Sequence, residues 1–457
     1  MPLALIAGCS LTPSYQPPTL AAPAAYKEDG AWIPAATLPP QPEKWWTAFA
    51  DPVLNDLAER VTVDNQNIKL AEAQYRAARA TVDSVRAGLY PTLGAGTSAS
   101  RGITATGAPV TNLYALTAQA NWELDLWGQV RSGVEAAAGK AQASEGALGA
   151  ARLSTQALLA QTYFQMRAAE AQERLLTRTV AAYERFLELT QNRFGAGVAS
   201  PLDVAQAQTQ LLSARTQQAD ARLQRSQAEH TIATLLGKPP AEISIAPADK
   251  LATVPTLPPL LPSTTLETRW DIYSSERSVA AANAQIGVAR SAYFPVLTLG
   301  ANGGYRSTEL SNLLSVPSRI WSLGPTLALT LFDGGARSAA VEQALAGYDQ
   351  AVAIYRQTVL AAFQEVEDNL AAARWLNDES VSQNAALEAA RKARQIAENQ
   401  YRAGTASSLN VITAQASELA AEEAIITIWN RQINAVAQLY KNVGGRKISA
   451  EQSTDHP

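Results

Sequence analysis

Tyr114-Ala115-Leu116-Thr117-Ala118-Gln119-Ala120-Asn121-Trp122-Glu123-Leu124-Asp125-Leu126 decides how the rest of this chain is read. Tyr114, Leu116, Ala118, Ala120, Trp122, Leu124 and Leu126 share one face, while Thr117, Gln119, Asn121, Glu123 and Asp125 share the other. A period of two marks a strand with one apolar and one polar face. Trp127-Gly128 ends the alternation, and the 65 residues from Gln129 to Arg193 contain no proline and are dominated by strong helix formers. At about 1.5 Å per residue they make a rod of roughly 95–100 Å, several times the usual helix length. A membrane-grade strand running into such a rod suggests a tube with one end in a bilayer. Gln119, Asn121, Glu123 and Asp125 are then expected to line its lumen.

Composition narrows the alternatives. Over 457 residues the net charge is −4 and only 17% of residues are charged, with no basic stripe, so no nucleic-acid partner is suggested. The single cysteine, Cys9, excludes an intramolecular disulfide. No run of 18 apolar residues is present, which argues against a transmembrane helix but not against a barrel, whose strands signal more weakly.

N-terminal to the opening stretch, residues 1–9 end in Ile6-Ala7-Gly8-Cys9, which resembles the lipobox where a bacterial signal peptide is cut and the cysteine acylated. No Lys or Arg precedes Cys9, so the start is expected to be truncated. Residues 10–50 are a proline-rich strap closed by Trp45-Trp46 and Phe49, a packing anchor. Asp51-Pro52 starts a helix expected to run unbroken to about Ala87. Residues 89–127 form a β-hairpin. Beyond the long helix of 129–193 lies a tip turn, 194–201, in which the glycines supply a left-handed cap, and then a helix at 202–236, opened by Ser200, Pro201 and Asp203.

Residues 239–262 hold seven prolines and form a linker in which Ile243 and Ile245 are expected to make one short strand. The second half, 263–444, repeats the first: a helix, a β-hairpin at 294–332, a long helix at 336–402, a tip turn at 403–408 and a helix at 409–442. Pro295 follows Pro91 by 204 residues and Gly404 follows Gly197 by 207. The polar tail, 445–457, is expected to be disordered. Along the second rod Val341, Leu345, Tyr348, Val352, Tyr355, Val359, Phe363, Val366 and Leu370 make one packing stripe.

Each chain thus offers four strands, too few to close a barrel. Open edges cannot sit in hydrocarbon, because unpaired backbone groups there cost several kcal/mol each. Three copies would give twelve strands and a water-wide lumen. The fold class is mostly α with a small β part: a long antiparallel α-helical barrel plus four transmembrane strands per chain that complete a 12-stranded barrel in a homotrimer, built as two tandem repeats.

These residues resemble the outer-membrane factors, the TolC-like efflux channels, in their acylated NodT/OprM-like branch. The resemblance is carried by Trp45-Trp46…Phe49…Asp51-Pro52…Leu54…Leu57, by the paired strand–rod junctions, and by two tip turns. The turns are Phe194-Gly195-Ala196-Gly197…Leu202-Asp203 and Tyr401-Arg402-Ala403-Gly404…Leu409-Asn410. It implies an outer-membrane lipoprotein of a Gram-negative bacterium, extending into the periplasm, lipid-anchored through Cys9 and otherwise without a cofactor. Its partners would be outer-membrane lipid, a periplasmic adaptor (membrane fusion) protein and an inner-membrane transporter of the RND type. Residues 239–262 would belong to an equatorial region. The periplasmic gate maps to Leu202, Asp203, Leu409, Asn410 and Thr413, with Thr413 standing where an acidic ring residue is expected. Adaptor contact maps to Arg193, Gly195, Gly197, Arg402 and Gly404. For Asp203 the competing reading is a helix-start charge; for Arg193 and Arg402 it is a favourable charge at a helix C-terminus.

Catalysis is not suggested. The two histidines, His230 and His456, have no nucleophile–acid companions. Gly195-Ala196-Gly197 follows a helix rather than a strand and so is no nucleotide loop. Met1 and Met166 alone make no soft-metal relay. The leading function is therefore a passive exit duct of a tripartite efflux or secretion system. The alternatives are a periplasmic coiled-coil adaptor without a pore and a stand-alone porin.

Overall fold

The computed structural model describes residues 11–19, 26–28, 44–103, 109–255, 268–443 and 445. Cys9, the end of the linker and the C-terminal tail from residue 446 onward lie outside these. In order the elements are α1 (Pro52–Asp64), α2 (Gln66–Arg86), β1 (Thr92–Gly102), β2 (Thr111–Leu124), α3 (Gln129–Gly195) and α4 (Pro201–Leu235). Then follow α5 (Trp270–Ser291), β3 (Val296–Ser307), β4 (Arg319–Ala328), α6 (Ala336–Arg402) and α7 (Ser408–Val443). α3 and α6 each have 67 residues, about 100 Å of helix.

Two compact units share the chain, their boundaries falling within α2, α3 and α6 and beside the start of α5. The first, drawn from Met1–Leu20, Glu72–Ala147 and Asp271–Thr358, holds the sheet. Its four strands are antiparallel in the order β1-β2-β3-β4. Close approach of α3 to α5 in this unit requires glycine. A Cβ on Gly139 or Gly146 would come within 2.9 Å of the backbone at Ala281 or Ser274. The N-terminal strap is seated here too. Thr12 Oγ1 lies 2.7 Å from Ser132 Oγ, Asn283 Nδ2 donates to the Pro13 carbonyl at 2.8 Å, and Tyr15 donates to Glu276. Gly287 leaves room for Thr12.

The second unit, drawn from Ala21–Ala71, Leu148–Trp270 and Val359–Pro457, holds the main apolar core. Trp45, Trp46 and Phe49 are buried in it with Leu54, Tyr163, Phe164, Ile232 and Ile433. Trp45 stacks on Tyr440 at 6.1 Å, and Phe49 meets Phe164 at 4.9 Å. Aromatic pairs of this kind add about 0.5–1.5 kcal/mol beyond their burial.

Two expectations are corrected. The first helix is not continuous, because Asn65 breaks it with extended backbone, φ −62° and ψ 129°. Its Oδ1 accepts from Asn67 N and Ile68 N, capping α2, while Nδ2 donates to the Leu235 carbonyl at 2.7 Å. The end of α4 therefore abuts the α1–α2 joint. Ile243 and Ile245 form no strand. Side chains replace the missing ladder: Glu229 accepts from Ile245 N, Arg225 donates to the Ile245 carbonyl, and Arg167 donates to the Ala246 carbonyl. Glu170, almost fully buried, accepts from Ala248 N and pairs with both Arg167 and Arg225. Buried charge needs such pairing.

Candidate functional site: sheet faces and helix tips

Directly opposed residues in an antiparallel sheet share a face, so the registers sort every strand position. One face carries Leu93, Leu116, Ala118, Ala120, Trp122, Leu297, Leu299, Ala301, Tyr305, Trp321, Leu323 and Leu327. The other carries Ser98, Ser100, Thr117, Gln119, Asn121, Glu123, Thr298, Asn302, Ser322 and Thr326, with Leu113, Val296 and Ile320 among them. Gln119 lies opposite Gly94 and Asn302, Asn121 opposite Thr92 and Gly300, and Glu123 opposite Thr298. Large apolar side chains on the first face are open to solvent in one copy, Trp321 at 79% and Leu323 at 66%. Such an exposed apolar sheet face demands a cover.

Asp125 departs from its expected place. β2 ends at Leu124, and the Asp125 carboxylate accepts from Val130 N, Arg131 N and Arg131 Nε at 3.0–3.1 Å. It satisfies the first turn of α3 instead of facing a lumen. Asp333 does the same for α6, accepting from Arg337 N and Nε and from Gly335 N. Arg337 foremost holds its carboxyl below the ordinary range. Between the two junctions Trp127 stacks on Phe294 at 4.8 Å and donates to the Pro295 carbonyl at 2.7 Å.

At the opposite ends of the rods sit the tip turns. Gly197 and Gly404 both have φ +78°. Val198 N donates to the Arg193 carbonyl and Thr405 N to the Gln400 carbonyl, so both rods end in the same wrapped cap. Gly195 is different: it is the last residue of α3, with no left-handed backbone and nothing within 4 Å of a Cβ built there. The turn does not require it.

Ser200 caps α4 in a full capping box with Asp203. The Asp203 carboxylate accepts from Ser200 N at 2.7 Å and from Ser200 Oγ at 2.8 Å. Its other oxygen accepts from Ser408 Oγ, on α7 of the second repeat. Ser408 foremost, then Ser200, holds the Asp203 carboxyl below its ordinary value. Arg193 also crosses between repeats, donating from Nη1 to the Tyr401 carbonyl at 3.0 Å with its guanidinium 4.6 Å from the Tyr401 ring centre. It serves the C-terminus of α6 rather than that of its own helix. Phe186, Ala207, Ala397, Tyr401 and Val411 make a small core behind these links.

Leu202 and Leu409 are exposed at 65% and 53%. Asn410 N donates to the Ser407 carbonyl, and Thr413 bonds back to the Leu409 carbonyl. Arg402 is exposed and has no hydrogen-bond or ion-pair partner among the described residues. The cross-repeat roles of Ser408 and Tyr401 are not legible in the sequence because each acts on a residue 205 or 208 positions away. Among the described residues no group of metal-ligating side chains is found, and no helix is long and apolar enough to cross a membrane.

A four-stranded sheet divided into an oily and a polar face, with long helical hairpins in tandem repeats, defines a class: the subunit of a membrane duct. The sequence profile described as Outer membrane efflux protein matches residues 57–238 and 261–445, and the chain belongs to that family. It is 33% identical over 454 residues to the probable efflux pump outer membrane protein TtgC of Pseudomonas putida, covering 96% of this chain and 93% of that protein. It is 32% identical over 449 residues to the outer membrane protein OprJ of Pseudomonas aeruginosa, covering 96% and 93%. Among solved structures, the outer-membrane channel OprN superposes with a TM-score of 0.89 at 30% identity, covering 96% of this chain and 99% of that one. The Neisseria gonorrhoeae MtrE channel, in its open state, superposes with 0.84 at 30% identity, covering 96% and 98%. The chain is thus an outer-membrane exit duct for efflux: a conduit, not an enzyme.

Proposed function

We propose that three copies close one duct, β1 of each pairing with β4 of the next into a 12-stranded barrel. The carrying observation is an open sheet with two unpaired edges and one face dominated by large, exposed apolar side chains. Gln119, Asn121 and Glu123 then line the water-filled side. At the helix tips the Asp203–Ser408 and Arg193–Tyr401 links act as latches between the two hairpins of a copy, with Leu202, Leu409, Asn410 and Thr413 beside them. A periplasmic adaptor meets the turns at Gly197, Gly404 and the unpaired Arg402, and an inner-membrane transporter of the RND type supplies the energy. Cys9 carries the lipid. It is three residues from Thr12, at most about 11 Å of chain, and Thr12 is fixed beside the strand–helix junctions. Acyl chains there would reach the membrane's periplasmic surface.

The test is the mass of the detergent-solubilised Cys9→Ser protein. Three chains per particle, with detergent still required, is the expected result. A monodisperse monomer that keeps its full β content overturns the reading. In planar bilayers the purified duct should be nearly closed; high conductance without partners would instead favour a stand-alone porin.

A further inference from the structure

The oily face of the sheet contains two charged residues among those described, Arg101 and Arg319, and both stand at the same end of it. Arg101 is one residue from the end of β1 and Arg319 is the first residue of β4. The registers fix their side. Arg101 lies opposite Asn112, two positions from Tyr114, and Arg319 lies opposite Tyr305, itself opposite Leu116. Both arginines are exposed and have no hydrogen-bond or ion-pair partner among the described residues. Tyr305 and Trp321 flank Arg319 on the same face, a pair suited to the interfacial belt. The other end of this face, at Leu93, Trp122, Leu124, Leu297 and Leu327, is uncharged.

β1 and β4 are the edge strands, so in the trimer proposed above, on which this inference rests, Arg101 of one copy and Arg319 of the next meet at a seam. Their heights agree. Through Tyr305 and Leu116, Arg319 is level with Thr97, five residues (102 − 97) short of the end of β1. Extending that stagger one strand further, with both side chains on one face and the offset therefore even, leaves the two arginines about two to four residues apart along adjacent strands, roughly 8–14 Å between Cα atoms. A lone arginine on a lipid face is unfavourable away from the interface, whereas two flexible guanidinium groups can share one phosphate through charge-assisted bonds.

We propose that each seam carries an outward-facing site, Arg101 with Arg319 of the next copy, for a phosphate of the glycolipid in the outer leaflet. The sugar-phosphate head would engage the arginines while its acyl chains lie on Trp321, Leu323 and the surface below. Three such sites would lock the seams from the lipid side. Arg306, which lies opposite Ala115 on the polar face, takes no part and is the internal control.

Native mass spectrometry of the detergent-purified protein, incubated with diphosphoryl lipid A or its dephosphorylated form, tests this. The native trimer should retain the diphosphoryl lipid about tenfold better. The Arg101→Gln/Arg319→Gln double variant should lose that preference, and Arg306→Gln should keep it. Millimolar inorganic phosphate should not displace the lipid; displacement would assign the site to a free anion and overturn the lipid assignment. Equal retention by native and double-variant trimers, or equal loss in Arg306→Gln, overturns the site while leaving the trimer standing. A monomer in the same spectrum overturns both, and its mass distinguishes that failure.

Discussion

One carboxylate, that of Asp203, closes its own helix turn and also holds the neighbouring hairpin. Its role at the helix start is local, legible in Ser200-Pro201-Leu202-Asp203 from spacing alone. The bond from Ser408 is not legible, since no pattern in either repeat marks the other's partner. Asp125 shows the complementary failure: strict alternation runs through it, and parity cannot separate the last residue of a strand from a carboxylate turned onto the next helix. Replacing Asp203 by Ala should raise basal conductance in planar bilayers, and Ser408→Ala should reproduce part of that rise with the capping box intact. The pH dependence follows from the direction of the shift. A carboxyl held below its unfolded value contributes fully above that value, about pH 4, and loses its contribution as pH falls through the lower folded value. Conductance of the native duct should therefore be flat from about pH 7 to 5 and rise only below about pH 4. Asp203→Asn should lack that acid rise. An Asp203→Ala duct as tight as the native one would reduce Asp203 to a cap.

Among the elements, long rods and strands were readable because their periods persist, and the breaks were not. Asn65 interrupts a helix with neither glycine nor proline beside it. It can do so because a buried amide satisfies three backbone groups at once, two in α2 and one at the end of α4. Gly195 errs in the other direction, a glycine read as a turn residue that the structure keeps helical. Ile243 and Ile245 are expected to make one short strand, and they do not. What they lack is an edge to pair with, and four charged side chains of α3 and α4 take that place. Asn65→Ala should cost about 1–3 kcal/mol, the range for leaving a buried polar group unsatisfied together with the loss of a cap. Asn67→Ala, two residues on and exposed, should change stability by less than about 0.5 kcal/mol. Urea unfolding of the two variants side by side decides; equal stability would show that the joint does not depend on Asn65.

For the whole molecule, the decisive property is that the two sheet faces are chemically distinct while neither is covered within one copy. Position 323 faces the oily side and position 322 the polar side, one residue apart on the same strand. A lysine at Leu323, near the middle of β4, should cost about 2–4 kcal/mol per copy if that face meets hydrocarbon at mid-depth. Three copies make that roughly 6–12 kcal/mol per assembly, enough to abolish the trimer in outer-membrane extracts. A lysine at Ser322 enters water instead. It should leave trimer yield near native and shift the ion preference of the open duct toward anions by adding three positive charges to its wall. The two outcomes are coupled, because both follow from one register. Leu323→Lys trimers at native yield, or Ser322→Lys assemblies as depleted as Leu323→Lys, would mean that the faces are reversed or that no bilayer touches them, and the duct would lose its lipid-embedded wall.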